Sequence, residues 1–577
     1  MMGNWNKVAY IDLSSSETWV ESLDDKAWRD YLGGIGIGAY LFSKISKSSD
    51  ALSPENPIVL AAGPLVGTSF PESGRHEVVS RSPQTGLLGE SNSGGRFGFE
   101  LKRSGLDAVI ILGASQNPVA VVIDDGSIKL IDASRYWGFT TYDTINALSQ
   151  GGYSVAAIGP AGENKVLFAA VMNDNGRAAG RTGMGAVFGS KKLKAIAVRG
   201  RKQVPLFNRE EFLRHSQYVA KYLHEAAFSI SLREFGSSVW IDAGSALGDV
   251  PAHYFTSHSF DYDSISSIKL KESFNPQSKP CASCVISCGR EIRMNGVRVD
   301  GPEYETIAVF GPLLGNNDIK NIVEWNHMVN SLGLDSISTG VIISAITYFR
   351  RIGLLSDKYD VGSIAQTIHD IAYRRGVGDE LANGLERFAA SHGIERDLVA
   401  TVKGLEIPAH DPRAFKLQAL TYATSTRGAC HLQGEMYAVD IGASQESIGI
   451  RAGDRWDVDS DERVMSLIKA QDYRQVQNSA IVCTYGYPPA EDLLKAINLA
   501  TGFDITLEEM MGIGSRIIDL KKEINERLGW NRSMDWVPAI VRRKVGDEPA
   551  NTAISDDELR KLLDRYYRLR GWQLSST

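Results

Sequence analysis

Over the first 205 positions the apolar residues fall in short unbroken runs, not in helical stripes. Residues 8–13 (VAYIDL) stop at three serines, and 57–62 (PIVLAA) stop at Gly63-Pro64. Two further runs are 108–112 (AVIIL) and 119–123 (VAVVI); Asp124-Asp125-Gly126 after the second is a hairpin signal. A last run, 194–198, closes the region. Runs of this length between turn residues predict β-strands. Beyond about residue 206 the spacing lengthens to the helical period, and 209–228, 319–332, 340–350, 364–375, 379–392 and 556–569 predict helices. The expectation is an α+β multidomain fold: a β-rich domain over 1–205, a helical domain over 206–404 and a second helical domain over 405–577. The last boundary falls just ahead of 407–412 (IPAHDP). There is no tandem repeat, only a faint echo between Asn330-x-x-Gly333-Leu334-Asp335 and Asn478-x-x-Ile481-Val482-Cys483.

A chain of 577 residues is too long for one hydrophobic core. Its 62 basic and 69 acidic residues leave a net charge of −7, which gives no footprint for nucleic acid. No apolar run reaches the ~18 residues that a membrane span needs, and the first residues lack the basic-then-apolar profile of a signal peptide. Five cysteines, three of them clustered, suit a reducing compartment in which thiols bind metal. A cytoplasmic protein is expected.

The clustered cysteines, Cys281, Cys284 and Cys288, follow a C-x2-C-x3-C spacing on one loop. Thiolates so spaced converge on one centre, and soft thiolates select iron–sulfur clusters, zinc or copper(I). A four-iron cluster needs a fourth cysteine, Cys430 or Cys483, roughly 140 to 200 positions further on. A structural zinc site competes with this reading, although such sites tend to pair a second knuckle or recruit histidine. Two glycine-rich loops carry cations. One holds Asn92, Gly94, Gly95 and Arg96; the other, over 173–185, holds Arg177, Ala178, Gly180 and Arg181. Glycine admits close backbone approach, consecutive amides form anion nests, and arginine grips phosphate in bidentate fashion. Tight turns with exposed arginines are the plainer alternative. Neither loop matches a nucleotide-binding fingerprint.

Taken in order, several motifs resemble the tungsten-containing aldehyde:ferredoxin oxidoreductase family over nearly the whole chain. They are Asn92-Ser93-Gly94-Gly95, Gly159-Pro160-Ala161-Gly162-Glu163-Asn164, the cysteine loop, Gly301-Pro302-Glu303-Tyr304-Glu305, Asp411-Pro412-Arg413, Arg427-Gly428-Ala429-Cys430-His431 and Tyr566-Tyr567-Arg568-Leu569-Arg570-Gly571-Trp572. The resemblance implies a tungsten bis-pterin cofactor (tungstopterin) lying on a double-layered β base, with one 4Fe-4S cluster nearby. It implies Mg2+ bridging the pterin phosphates, in a site lined by Arg75, Asn92, Gly94, Gly95, Arg177, Ala178, Gly180 and Arg181. Each helical domain would offer one D-x-x-G-L-(C/D) segment to a pterin: Asn330, Gly333, Leu334 and Asp335 in one, Asn478 and Val482 in the other. Here asparagine replaces the leading aspartate twice, and Ile481-Val482 replaces Gly-Leu. Asparagine keeps the hydrogen bonding and loses the charge. Cys483 becomes the fourth cluster ligand, which leaves Cys430 as a small buried hydrophobe.

By the same resemblance, Glu305 and His431 flank the metal as catalytic residues. A carboxylate in a dry pocket is a general base, and a histidine can polarise a carbonyl oxygen. A loop carboxylate paired with arginine and a core histidine are the plainer alternatives. Glu324-x-x-His327 is either a metal pair between subunits or an exposed helix pair. Met184, Trp137, Trp240 and Trp325 read as filler. The expected activity is oxidation of aldehydes to carboxylic acids. The expected partner is a ferredoxin or ferredoxin-like iron–sulfur subunit, with a flavin subunit reached through it, in an oligomer or hetero-oligomeric complex. No nucleic-acid or membrane partner is expected. Two alternatives are the tungsten subunit of a benzoyl-CoA-type aromatic-ring reductase and a non-catalytic iron–sulfur electron-transfer protein.

Overall fold

Two six-stranded sheets occupy the chain up to Arg199 in this computed structural model, which describes residues 2–46, 50–174, 176–294, 296–546 and 552–572. Met1 and Asn175, the latter in the second glycine-rich loop, lie outside the described residues. The first sheet holds β1 (Val8–Asp12), β2 (Thr18–Glu21), β3 (Ile58–Ala61), β4 (His76–Arg81), β5 (Leu88–Ser93) and β6 (Ala108–Leu112), in the order β2-β1-β6-β3-β4-β5. The second holds β7 (Val119–Asp124), β8 (Ser127–Asp132), β9 (Ser154–Ala157), β10 (Val171–Asn173), β11 (Arg177–Ala179) and β12 (Leu193–Arg199), in the order β11-β10-β9-β12-β7-β8. Each sheet has one parallel pair, β1 with β6 and β7 with β12, and is otherwise antiparallel. The hairpin expected at Asp125-Gly126 joins β7 to β8, and both residues take the positive φ that such a turn requires.

The strand runs are unbroken because the strands are covered on both sides. Ile11, Val109 and Ile111 of the first sheet share a core with Val121, Ile123 and Val198 of the second. The alternate residues Val8, Val59, Ala61 and Ile110 face the other way, into a core shared with the helix Gly34–Ile45 and the helical region. A Cβ at Gly34 would lie 2.1 Å from the Asn478 carbonyl oxygen, so this helix approaches the end of the helix Asp461–Ala480 very closely.

Helices dominate after Arg199. Ile319–Leu332 matches its expected bounds, while the expected 340–350 begins earlier, at Ser336, because Asp335 caps it by accepting from the Ile337 N–H. Two expected helices are broken. The 209–228 pattern splits into Arg209–Glu225 and Ala227–Phe235 at the extended Ala226, and 379–392 splits at Gly384, whose φ is 86°. Helix Asp461–Ala480 escapes the periodicity argument, because it buries Arg463, Gln471, Asp472, Arg474 and Gln477 along with its apolar residues. Among the described residues no helix is long and apolar enough to cross a membrane.

Candidate active site

The edge strands of the two sheets, β5 and β11, meet at one place and carry the first site residues. Pairing of β4 with β5 sets Glu77 opposite Asn92, and Arg75 enters just before β4. The Arg75 Nε donates to Asn92 Oδ1, and Asn92 Nδ2 donates to Glu77 Oε1 at 2.7 Å. Arg177, at the start of β11, pairs with Glu303 at 3.2 Å and donates to the Lys279 carbonyl at 2.9 Å.

The cysteine loop runs between β13 (Gln277–Lys279) and β14 (Gly289–Met294) and contains no helix. The Ala282 N–H bonds the Gly95 carbonyl at 2.9 Å. A single residue, Glu72, ties the loop to Cys483. Its N–H donates to the Ser283 carbonyl and its own carbonyl accepts the Cys483 N–H, both at 2.9 Å. Its carboxylate accepts from the Val285 and Ile286 N–H groups at 2.8 and 3.3 Å. Arg75 Nη1 lies 3.7 Å from Cys483 Sγ. A Cβ on Gly94 would stand 2.8 Å from Cys281 Sγ and 3.1 Å from Arg75 Nη1.

These groups surround a cavity of about 350 Å³. Cys281, Cys284, Cys288 and Cys483 line it together with Arg75, Asn92 and Gly94. So do Arg177, Ala178, Gly180 and Arg181, then Asn330, Leu334, Asp335, Asn478 and Val482, and finally Glu305 and His431. Gly95 and Gly333 are not on its wall. Gly95 is pressed against Asp174, where a Cβ would come within 2.5 Å of Oδ2, and Gly333 is the left-handed cap of helix Ile319–Leu332. Asp335 is engaged by Arg181 at 3.1 Å and by its capping bond. Cys430 is buried, yet it lines the cavity and accepts from Arg427 at 2.6 Å, so it is more than apolar filler.

The echo between the two asparagine segments is structural. Helix Ile319–Leu332 ends on Gly333 at φ 75°, and Asp461–Ala480 ends on Ile481 at φ 62°. In each case the next residue's N–H reaches back, Leu334 to Val329 and Val482 to Gln477, both at 2.9 Å. The two caps therefore offer Asn330 with Leu334, and Asn478 with Val482, to one cavity.

The donor set fits a large anionic, metal-bearing guest. Glu77 Oε2, Arg427 Nε, Arg474 Nη1 and Glu305 Oε1 are buried on the wall without a hydrogen-bond partner among the described residues, as groups awaiting a polar ligand would be. Burial, with Glu90 adding to it, pushes the Glu77 carboxyl up to about 8. Burial raises the Cys284, Cys288 and Cys483 thiols, so a metal must displace their protons. Burial also opposes the charge on Arg75 and Arg177, but the neighbouring sulfurs, and Glu303 at Arg177, outweigh it.

A second cavity of about 450 Å³ shares several residues with the first, Glu305, His431, Arg474 and Tyr485 among them. Its lining is aromatic and aliphatic, with Leu223, Phe228, Leu232, Trp240 and Tyr437 prominent. Trp240, expected as filler, thus faces this chamber. Glu305 stands at the junction, in the first turn of helix Tyr304–Phe310. Its Oε2 accepts from the Ala409 N–H at 2.9 Å; its Oε1 lies 3.3 Å from His431 Nδ1 and 3.7 Å from His410 Nε2. Burial raises the Glu305 pKa and drives that of His431 well below the usual value, with His410 adding to the latter. Sequence reasoning missed His410 and Glu72. His410 lies in a stretch that reads only as a domain boundary, and Glu72 acts largely through its backbone. Glu324 is exposed and His327 packs on Tyr142, with ring centroids 5.2 Å apart. Among the described residues no third acid, histidine or cysteine joins that pair.

Residues 8–200 match the family description "Aldehyde ferredoxin oxidoreductase, N-terminal domain", and 214–576 match "Aldehyde ferredoxin oxidoreductase, domains 2 & 3". The chain is 37% identical to a tungsten-containing aldehyde ferredoxin oxidoreductase of Pyrococcus furiosus, across 99% of this chain and 97% of that one. It is 36% identical to the protein of the same description in Thermococcus kodakarensis, with the same coverage. Among solved structures, the BamBC active-site complex of benzoyl coenzyme A reductase with 1,5-dienoyl-CoA superposes with a TM-score of 0.86 at 22% identity, covering 99% of this chain and 95% of that chain. That likeness is one of fold.

Proposed function

The chain belongs to the aldehyde ferredoxin oxidoreductase family, and from that premise we propose that it oxidises aldehydes to carboxylic acids with a tungsten bis-pterin cofactor and one 4Fe-4S cluster. The observation that carries this reading is the position of Glu305 and His431 at the junction of a polar, arginine- and cysteine-lined cavity and an apolar chamber. When bound, the metal would supply a two-electron acceptor and the cluster a one-electron route onward. Cys281, Cys284, Cys288 and Cys483 would hold the cluster. Arg75, Asn92, Gly94, Arg177 and Arg181 would face the pterin phosphates and an accompanying Mg2+. The two helix ends would each hold one pterin.

The substrate's apolar body lies in the chamber, which keeps bulk water away from the reacting carbon. His431, neutral because it is buried, offers an N–H to the carbonyl oxygen. Conversion of an aldehyde and one water to an acid releases two electrons and two protons, and Glu305 is the carboxylate within reach to accept a proton. We assign the electron acceptor as a ferredoxin or ferredoxin-like subunit, with any flavin subunit beyond it, in an oligomeric or hetero-oligomeric assembly.

Elemental analysis of anaerobically purified protein, with benzaldehyde oxidation followed by reduction of a viologen dye, tests the proposal. About one tungsten and four irons per chain with aldehyde-dependent dye reduction is expected. Both metals without aldehyde turnover would sink the aldehyde reading in favour of ring reduction. Iron or zinc alone, in protein made with tungstate, would remove the pterin assignment.

A further inference from the structure

His410 sits between two carboxylates. Its Nδ1 is 2.6 Å from Asp249 Oδ2, and its Nε2 faces Glu305 Oε1 at 3.7 Å. Asp249 is fully buried; Oδ2 also accepts from Trp240 Nε1 at 2.7 Å, while Oδ1 has no hydrogen-bond partner among the described residues. The imidazole is caged by aromatic rings: Tyr437 stacks on it at 4.2 Å, and His431 and Tyr304 lie at 4.7 and 4.9 Å. The backbone beneath is fixed independently of the side chain, because Tyr304 Oη donates to the Ala409 carbonyl and Tyr422 Oη to that of His410, the latter at 2.7 Å.

With its Nδ1 proton committed to Asp249, a neutral His410 would aim a lone pair at Glu305. An imidazolium is attracted to both carboxylates. We propose that Asp249 and His410 form a charge-holding dyad that keeps Glu305 as the carboxylate, with Asp249 and His410 acting as positioning residues for the reaction. The inference rests on the reading of Glu305 as the base. Asp249 decides where one proton resides: with its charge present the proton stays on His410 Nε2, and without it the proton moves to Glu305. The direction of the His410 pKa agrees, since burial opposes the cation but Asp249 and Glu305 raise it overall.

The other charges around the dyad are accounted for. Besides His410, Glu305 faces His431, Arg181 and Asp249. His410 faces, in addition, Glu435, which is paired with Arg474. The Tyr304, Tyr422 and Tyr437 hydroxyls are held neutral by burial.

The test uses the loaded enzyme and the variants Asp249→Asn and His410→Gln. The first keeps a side chain of the same shape that can still bond Nδ1. In both, the acid limb of kcat/KM for benzaldehyde is expected to move up by about one pH unit, giving about a tenfold loss on the acid side of the limb that largely disappears on its alkaline side. A second readout needs only folded protein: the infrared band of the protonated Glu305 carboxyl, identified by its absence in Glu305→Gln, should persist to higher pH in both variants. An equal loss at every pH, or an unmoved infrared titration, overturns the dyad. If Glu305→Gln turns over at the wild-type rate, the base reading fails, while the infrared titration still tests the dyad on its own.

Discussion

Gly94 leaves no space for a side chain between Cys281 Sγ and Arg75 Nη1. Gly94→Ala must therefore push the cysteine loop or the arginine aside, and the expected result is protein that folds but carries less iron per chain, read by elemental analysis. At Glu305 the expectation is chemical. Glu305→Gln keeps the Ala409 hydrogen bond but cannot take a proton, so kcat should fall by about 100-fold or more while tungsten and iron stay at wild-type levels. His76 gives a pH-dependent prediction. It is buried against Phe97, and neither ring nitrogen has a hydrogen-bond partner among the described residues. Burial, with Arg75 adding to it, lowers its pKa to about 3. Between the ordinary histidine value and this one, the unfolded chain binds a proton that the folded chain refuses. This group's contribution therefore falls as pH falls through that window, by at most about 1.4 kcal/mol per pH unit. The melting temperature of His76→Phe should accordingly drop less than that of wild type between about pH 7 and about pH 5, measured by scanning calorimetry.

The two helix ends that reach the cavity use the same left-handed cap, once with glycine and once with isoleucine. Gly333→Ala places a β-carbon on a residue at φ 75°, where a Cβ would also meet the Gly159 nitrogen at 2.9 Å. A loss of about 1–2 kcal/mol in stability is expected from the backbone conformation alone, read by denaturant unfolding. The second end was hard to see in the sequence. Ile481 is β-branched and gives no turn signal, and it is buried with Ala62 and Val66. Beyond its exposed first turn the preceding helix has no polar face, because charged residues are paired inside: Arg474 with Glu435, and Asp472 with Arg570. Five of the twelve strands in the two sheets, by contrast, were legible to within a residue or two, since burial on both faces gives apolar runs that need no period; the others, β4, β5 and β11 at the site among them, were not read from the sequence. At the site, the cysteine spacing and the R-G-A-C-H run pointed to loops that line one cavity. The contacts joining those loops, through Glu72 and His410, depend on backbone geometry and on pairings across more than 100 positions, which local pattern does not encode.

At the scale of the whole molecule, the wall between the cavities is built from distant parts of the chain, with Glu305, His431, Arg474 and Tyr485 meeting there. The chamber side is predominantly apolar, and its one arginine among the described residues, Arg474, is paired with Glu435. A phosphorylated aldehyde would have to bury its charge there against cations whose charge Glu435, Asp249 and Glu305 already balance. Its kcat/KM should lie about 100-fold or more below that of benzaldehyde, measured with the same dye. A measurable rate at low substrate with the phosphorylated compound would show that the reacting carbon is reached by another route.

Glu72 has a consequence for how the molecule is made. It joins a loop near residue 283 to Cys483 through its own N–H and carbonyl, and Cys483 is the last of the four proposed cluster cysteines to be synthesised. A nascent chain can present three thiols and an open side, but any group gripped by all four can be completed only after residue 483 has emerged. Any factor that delivers such a group would have to act after Cys483 has been made.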